Sequence, residues 1–370
     1  MARDLGVEPD IPRQVPLRAS TLGIAYCILS AVFYTLMGIF QRELSTTADP
    51  VWVNCVQASV STIVFGLYLS LCSLRGRAAW PPWGVALGLM ALGIITQLGG
   101  SSYQWSLGII GLAIGNPLQM GVMLATAALL GWVVLRERVD LRAITAIALI
   151  TTSVFLLSVG AEEASKAINA SKTTEAADAA APSKAADDLA DESGAGLWMV
   201  LLGVAGACFA GVAFAILTVG MRKTATESTS PEAIVFFINV MGILFLGPWA
   251  AARLGLDGML ATSPRDFSVM LAVGICNLMA FLLIAKALQL TSVLRVNVVN
   301  NALTTALTVL AGIVIFAEPA NRELIIGIVL TLVGIVLISY AEGEDEGRPV
   351  VPEPVESNPE TTIAEHEELS

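Results

Sequence analysis

Long apolar segments alternate with short polar connections along most of this chain. One long stretch, from Trp83 to Leu135, contains no Asp, Glu, Lys or Arg. A membrane-spanning helix needs about 20 apolar residues, so this stretch is long enough for two helices and a turn. The whole pattern predicts ten helices, at residues 20–41, 51–73, 83–104, 110–135, 141–160, 196–220, 233–254, 267–288, 292–316 and 324–341.

Composition supports the membrane class. Hydrophobic residues make up 55% of the chain and charged residues only 14%. Soluble domains carry about 25% charged residues, so this chain could not cover a water-exposed surface with charge. The predicted fold class is therefore an all-α polytopic membrane protein.

Two acidic segments interrupt or follow the apolar pattern. Residues 161–195 are rich in Ala, Ser, Thr and acids and almost lack large apolar side chains. Such a composition cannot offset the entropy of ordering, so it predicts a disordered linker, and residues 342–370 resemble it. The predicted organisation is a cytoplasmic N-terminal segment at 1–19, a five-helix repeat at 20–160, the linker at 161–195, a second five-helix repeat at 196–341 and a disordered tail at 342–370.

The two halves resemble each other in sequence. Residues 103–159 align without gaps on 284–340, with 12 identities in 57 positions, including Asn116 with Asn297 and Glu137 with Glu318. Each half contains an odd number of predicted helices, so the second half would enter the membrane from the opposite side. Inverted repeats of this kind are typical of secondary transporters, whose substrate site lies near the midplane between the repeats.

The fourth segment of each half carries a family resemblance. The stretches "GNPLQMGVMLATAALLGWVVLRER" and "VNVVNNALTTALTVLAGIVIFAEP" each end in a glutamate and precede a last apolar segment. With the five-plus-five repeat, they resemble the EamA-like branch of the drug/metabolite transporter superfamily, over about 20–341 apart from the linker. The resemblance implies a transporter of small metabolites or drug-like compounds, often in the outward direction.

Polar residues inside the apolar segments fall at helical spacing and form stripes. The predicted substrate-binding residues are Asn54, Gln57, Gln97, Asn116, Gln119, Asn297, Asn300, Asn301 and Thr304. These amides and hydroxyls could line a polar cavity that binds a solute; alternatively, they could form hydrogen bonds that hold helices together. Since Asn116 and Asn297 are related by the repeat, we expect them to face each other across the centre.

Three charged residues near segment ends have two interpretations each. Glu137 and Glu318 could stabilise the N-terminus of the following helix and pair with Arg138 or Arg322, or they could couple transport to protons. Arg295 could extend towards the membrane interface, or it could attract an anion at the mouth of the site.

Lysines and arginines are more frequent in the connections on the side of the N-terminus, which predicts that both termini are cytoplasmic in a plasma-membrane protein. No acid lies in the middle of an apolar segment, the single histidine is His366 in the tail, and no phosphate-binding loop is present. These features argue against an enzyme, a cofactor or a metal site. The expected partners are a small solute, the lipid bilayer and possibly a second copy, without nucleic acid.

The function predicted from the sequence is a secondary transporter, acting as an exporter by alternating access at a central polar cavity. The alternative is a membrane scaffold or sensor that keeps the transporter fold without transporting.

Overall fold

The computed structural model describes residues 17–76, 80–134, 185–224, 230–290, 293–318 and 320–346, with single positions at 145, 148, 149, 152, 153 and 156. The regular elements are helical throughout these ranges. They are α1 (Leu17–Leu44), α2 (Pro50–Leu74), α3 (Trp83–Ile110), α4 (Leu112–Val134), α5 (Ala185–Thr224), α6 (Pro231–Met241), α7 (Gly247–Leu260), α8 (Pro264–Leu290), α9 (Val293–Ile315) and α10 (Arg322–Glu346).

Seven of the spans in the described ranges are long and apolar enough to cross a membrane. They are α1 to α5, the span formed by α6 and α7, which has a kink at Gly255, and α8. The remaining two helices carry the shorter apolar stretches Val299–Ile315 and Ile325–Gly334. The all-helical membrane class is thus confirmed. The count of ten is not, because the predicted fifth helix at 141–160 lies outside the described residues apart from isolated positions.

Helix boundaries recur with the repeat. Helices α6, α8 and α9 begin 181 residues after α2, α3 and α4. Helices α2 and α6 even start alike, with proline at the first position, where its fixed φ suits a helix and its missing N–H is not needed. The preceding residue caps the helix in both: Asp49 accepts from the N–H of Val51 at 2.9 Å, and Ser230 accepts from the N–H of Ala233 at 3.3 Å.

Packing is interleaved between the halves. Helix α1 packs mainly on α8 and α9, and its counterpart α5 packs mainly on α3 and α4. Helix α2 contacts α6, and α4 contacts α9. The helices of each half therefore bury their surfaces chiefly against the other half. One apolar cluster shows the mixture directly, since it joins Ala113 and Leu118 of α4 to Val200 of α5 and Val309 of α9.

Two helix ends extend beyond the predicted apolar segments. Helix α5 begins at Ala185, inside the segment predicted to be a disordered linker, and α10 continues to Glu346, past the predicted boundary at 341. Alanine has the highest helix propensity of the common residues, so the Ala-rich end of the linker can extend a helix that the membrane already stabilises.

A π-helical turn at Gly242–Leu246 joins α6 to α7, inside the predicted helix 233–254. A Cβ on Gly242 would meet the side chain of Ala58 and lie 3.3 Å from the side chain of Gln97. The wider turn therefore lies where α2 and α3 pack closely against this span.

Candidate solute-binding site

Helices α1, α3, α4 and α9 surround one interior region that belongs to both halves. Gln104 of α3 donates through Nε2 to the main-chain oxygen of Gln41 of α1 at 2.6 Å. Asn116 of α4 donates through Nδ2 to the hydroxyl of Tyr103 of α3 at 3.5 Å. A Cβ on Gly38 of α1 would contact both α4 and α9, at Leu112 and Thr308. These contacts join the consecutive helices α3 and α4 to α1 and to α9, which lie far from them in the sequence.

Uncharged polar side chains of these four helices are at least nine-tenths buried. Each has a side-chain oxygen shielded from solvent and without a hydrogen-bond partner among the described residues. We call them the neutral cluster: Gln41, Ser101, Gln104, Asn116, Asn300, Thr304 and Thr305. A buried polar group without a partner costs about 1–3 kcal/mol, so seven of them on these four helices require an explanation.

Four predicted site residues outside the neutral cluster have different surroundings. Gln57 accepts from Gln41 Nε2 at 3.1 Å and is thus joined to the neutral cluster. Asn54 donates to the main-chain oxygen of Pro50 in its own helix at 3.0 Å. Gln97 is buried beside Gly242 at the π turn, and Gln119 is buried where α4 meets Gly211 of α5. The structure therefore joins Gln57 to the neutral cluster and places Gln97 and Gln119 at other helix contacts.

Helix α9 supplies the rest of the predicted site. Asn300 and Asn301 are neighbours joined by a hydrogen bond of 3.4 Å from Asn300 Nδ2 to Asn301 Oδ1. Arg295 and Asn297 lie in the first turns of α9, and their side chains lie outside the described residues. Their interpretation therefore stays a prediction.

Asn116 and Asn297 do not face each other, and that expectation is wrong. Gly312 of α9 packs against Ala113 of α4, because a Cβ on it would lie 2.7 Å from the Ala113 nitrogen. With a rise of about 1.5 Å per residue, Asn116 lies about 4.5 Å and Asn297 about 22 Å from this contact along their helices. The two backbones are therefore at least about 12 Å apart at any crossing angle. The repeat places them at opposite ends of the bundle.

A charged group closes the end of the bundle where α1 and α9 end and α4 begins. The carboxylate of Glu318 accepts from Arg42 Nε at 2.9 Å and from the main-chain N–H groups of Leu112 and Ala113 at 2.8 and 2.7 Å. We call Arg42, Glu318 and these first residues of α4 the Glu318 cluster. The first N–H groups of a helix lack partners within the helix and attract negative charge, so the carboxylate satisfies them.

The sequence correctly predicted that Glu318 interacts with a helix N-terminus. It predicted the wrong helix and the wrong arginine partner. The structure pairs Glu318 with Arg42 rather than Arg322, and with α4 rather than the following helix α10. The reason is the chain reversal after α9, where Ala317 has a φ of 49° and the N–H of Glu318 donates to the Gly312 oxygen at 3.1 Å. This turn directs the side chain back towards α4. Its repeat counterpart Glu137 lies outside the described residues.

Glycine is required beside this carboxylate. Gly111 has φ 79° and ψ 175°, a backbone conformation that side chains other than glycine essentially never adopt. A Cβ there would also lie 2.6 Å from Glu318 Cδ. Arg42 is held as well, because its guanidinium lies 5.6 Å from the ring centre of Phe316 and donates to Ser45 Oγ at 3.2 Å.

Sequence reasoning did not place Gln41 and Tyr103 in the site, and it did not pair Arg42 with Glu318. Gln41 is a single amide next to a helix end, and Tyr103 belongs to no polar stripe. For Arg42 a signal existed, since the second half carries Arg222 at nearly the same repeat offset and Glu318 is matched by Glu137. Opposite charges that occur at equivalent positions in both halves, next to uncharged segments, are candidates for salt bridges.

An apolar cavity of about 490 Å³ lies elsewhere, between the ends of α2, α7 and α8. Its lining includes Trp52, Leu260 and Phe267. Trp52 Nε1 donates to Thr262 Oγ1 at 3.1 Å at its edge. The cavity does not coincide with the neutral cluster, whose unpartnered oxygens are closed off from solvent in this conformation.

Comparison with known proteins agrees with the repeat and the fold. The EamA-like transporter family model matches the chain twice, over residues 21–159 and 201–340. The chain belongs to the EamA-like transporter family. One protein crystal structure superposes with a TM-score of 0.53 and 14% sequence identity, covering 89% of this chain and 99% of that one, which shows a shared fold. No functionally curated protein matched the chain.

Proposed function

We propose that this EamA family protein is a secondary transporter that exports small metabolites or drug-like solutes across the plasma membrane. Substrate would bind at the neutral cluster, and access would alternate between the two ends of the bundle. The supporting observation is the set of seven shielded oxygens without partners among the described residues, on helices from both halves. A binding site can carry this cost because the solute supplies the missing hydrogen bonds.

With both termini cytoplasmic, the Glu318 cluster would lie at the outer face. Opening that face would require the start of α4 to separate from the connection after α9. The repeat offers a counterpart at the inner face, where Glu137 would meet the start of α9. Alternating access then corresponds to breaking one of these contacts while the other holds.

The transport site can be tested with one amide-to-leucine change and a matched control. Asn116→Leu removes an amide of the neutral cluster. Asn239→Leu removes an amide that donates to the Val235 oxygen of its own helix at 2.9 Å. A solute would first be found by thermal stabilisation of the purified chain, and its flux then measured in proteoliposomes. We expect Asn116→Leu to abolish flux and Asn239→Leu to keep it, with both variants inserted normally.

If both variants transport the solute at the wild-type rate, the neutral cluster is not the transport site. The flux of Asn297→Leu would be measured in the same experiment. Asn297 is the repeat counterpart of Asn116 and lies at the other end of the bundle.

A non-transporting scaffold or sensor makes a different prediction. Thr304→Cys, placed in a chain without the five native cysteines, would stay unlabelled by a small thiol reagent in every condition. A transporter would expose this position when one face opens, so labelling that changes with solute supports transport.

A further inference from the structure

In the four amides of the neutral cluster, the atoms without a partner among the described residues are all carbonyl oxygens, which accept hydrogen bonds and cannot donate them. Its four amides each use the NH₂ group inside the protein and leave the carbonyl oxygen without a partner among the described residues. The amide donors of Gln41, Asn116 and Asn300 go to Gln57, Tyr103 and Asn301 respectively.

The orientation of Gln104 fixes this polarity most firmly. Its Nε2 donates to a main-chain carbonyl, that of Gln41, and a carbonyl oxygen can only accept. Turning the amide over would place two oxygens against each other at 2.6 Å. Gln104 Oε1 must therefore remain the free atom, and the residue is completely buried.

Among the described residues, no free cation balances these oxygens at the adjacent end. Arg42 follows Gln41 directly in α1, but its Nε is bound to the Glu318 carboxylate at 2.9 Å. A carboxylate or phosphate has only acceptors to offer, so it would meet four carbonyl oxygens without gaining hydrogen bonds from them. An ammonium group has three donors and no acceptor, and each hydroxyl has one donor that can rotate.

We propose that the solute is rich in hydrogen-bond donors, an organic ammonium compound or a polyhydroxy compound, and not an anion. This inference rests on the proposed transport function, because it assigns the solute class of the same site. The hydroxyls of Ser101, Thr304 and Thr305 add further oxygens that can accept from such a solute.

The test is thermal unfolding of the purified full chain with pairs of probes in which methylation removes the hydrogen-bond donors. One pair is 1,4-diaminobutane and its bis(trimethylammonium) analogue, and the other is myo-inositol and its hexamethyl ether, with succinate as the anion. The unmethylated member of at least one pair should raise the unfolding temperature with increasing concentration, and its methylated partner and succinate should not. The pair whose unmethylated member stabilises the protein shows whether the solute's donors are ammonium or hydroxyl groups.

Three results would overturn the proposal. Succinate could stabilise the protein, a methylated compound could stabilise it as much as its unmethylated partner, or neither unmethylated compound could stabilise it. If succinate stabilises and Arg295→Gln abolishes its effect, the site binds an anion through Arg295. Flux in proteoliposomes separates this inference from the proposed function. If succinate is transported, the protein is a transporter but the proposed solute class is wrong. If the diamine or inositol binds but is not transported, the proposed solute class is retained and the transport function is contradicted.

Two threonines of α9 provide the matched variants. Thr305 Oγ1 has no partner among the described residues, whereas Thr308 Oγ1 donates to the oxygens of Thr304 and Thr305 at 2.8 and 3.0 Å. Thr305→Val should weaken binding of the responding probe about tenfold, because one hydrogen bond to the solute is lost. The same variant should raise the unfolding temperature without probe, since it removes a buried group that lacks a partner. Thr308→Val should change neither value, and the reverse result would contradict the assignment.

Discussion

The Glu318 cluster and the neutral cluster handle buried polarity in opposite ways. The carboxylate of Glu318 accepts hydrogen bonds from Arg42 and from the first two N–H groups of α4. The neutral cluster shares helices α1 and α4 with it, yet seven of its oxygens have no partner within the described part of the chain. Charge here is used to join helices, whereas the uncharged groups are left available. In this membrane protein, the most polar residues are therefore not the best candidates for the binding site.

Loss of the Glu318 carboxylate should have the largest effect. Glu318→Ala leaves Arg42 without its partner and two helix N–H groups uncapped, and breaking a buried pair costs about 3–5 kcal/mol. Denaturant unfolding of the purified protein would measure it. The matched control is Glu43→Ala, because the partner of Glu43 is Arg265, whose side chain is 80% exposed. An exposed pair contributes about 0–1 kcal/mol, so equal losses in the two variants would mean that the Glu318 cluster is not structural.

A methyl group at Gly111 tests the same cluster more gently. Gly111→Ala forces a backbone conformation that costs about 1–3 kcal/mol in a residue with a side chain, and it pushes against Glu318. Gly84→Ala in α3 is the control, since a Cβ there meets nothing within 4 Å. We expect Gly84→Ala to be neutral or slightly stabilising in the same unfolding experiment. If Gly111→Ala behaves like it, the close approach of Glu318 to this turn is wrong.

Two serines of α3 give the smallest effect but the sharpest comparison, because the expected signs differ. Ser101 Oγ belongs to the neutral cluster, whereas Ser106 Oγ donates to the Tyr103 oxygen at 2.8 Å. Ser101→Ala removes a buried group without a partner and should stabilise the protein by about 1 kcal/mol in the absence of solute. Ser106→Ala should be neutral or slightly destabilising. A loss of stability in Ser101→Ala would show that its hydroxyl is bonded after all.

Much of the fold follows from periodicity and composition. The uncharged segments predicted the membrane class, and the identity of Asn116 with Asn297 helped to reveal a repeat whose helix starts recur 181 residues apart. The amide stripes pointed to α4 and α9, where part of the neutral cluster lies. Helical spacing shows which residues share a face, but it does not show which helix that face meets.

Contacts across the chain could not be predicted for that reason. Arg42 and Glu318 are 276 residues apart, and the turn at Ala317 that brings them together has no distinctive sequence pattern. The sequence also could not show that Asn116 and Asn297 lie at opposite ends, because the depth of each depends on how α4 and α9 pack. Whether an amide oxygen is satisfied depends on neighbours from three other helices.

Interleaved packing also sets an order for how this protein is made. Helix α1 leaves the ribosome first, but its main partners α8 and α9 are synthesised near the end. The hydroxyl of Ser30 in α1 bonds to the Ala280 oxygen of α8, which lies 250 residues later in the chain. The first helices must therefore wait in the bilayer, or with the insertion machinery, until the second half arrives. Docking of α1 is therefore a late event, and a chain truncated after the first five predicted helices should be a substrate for quality-control proteases.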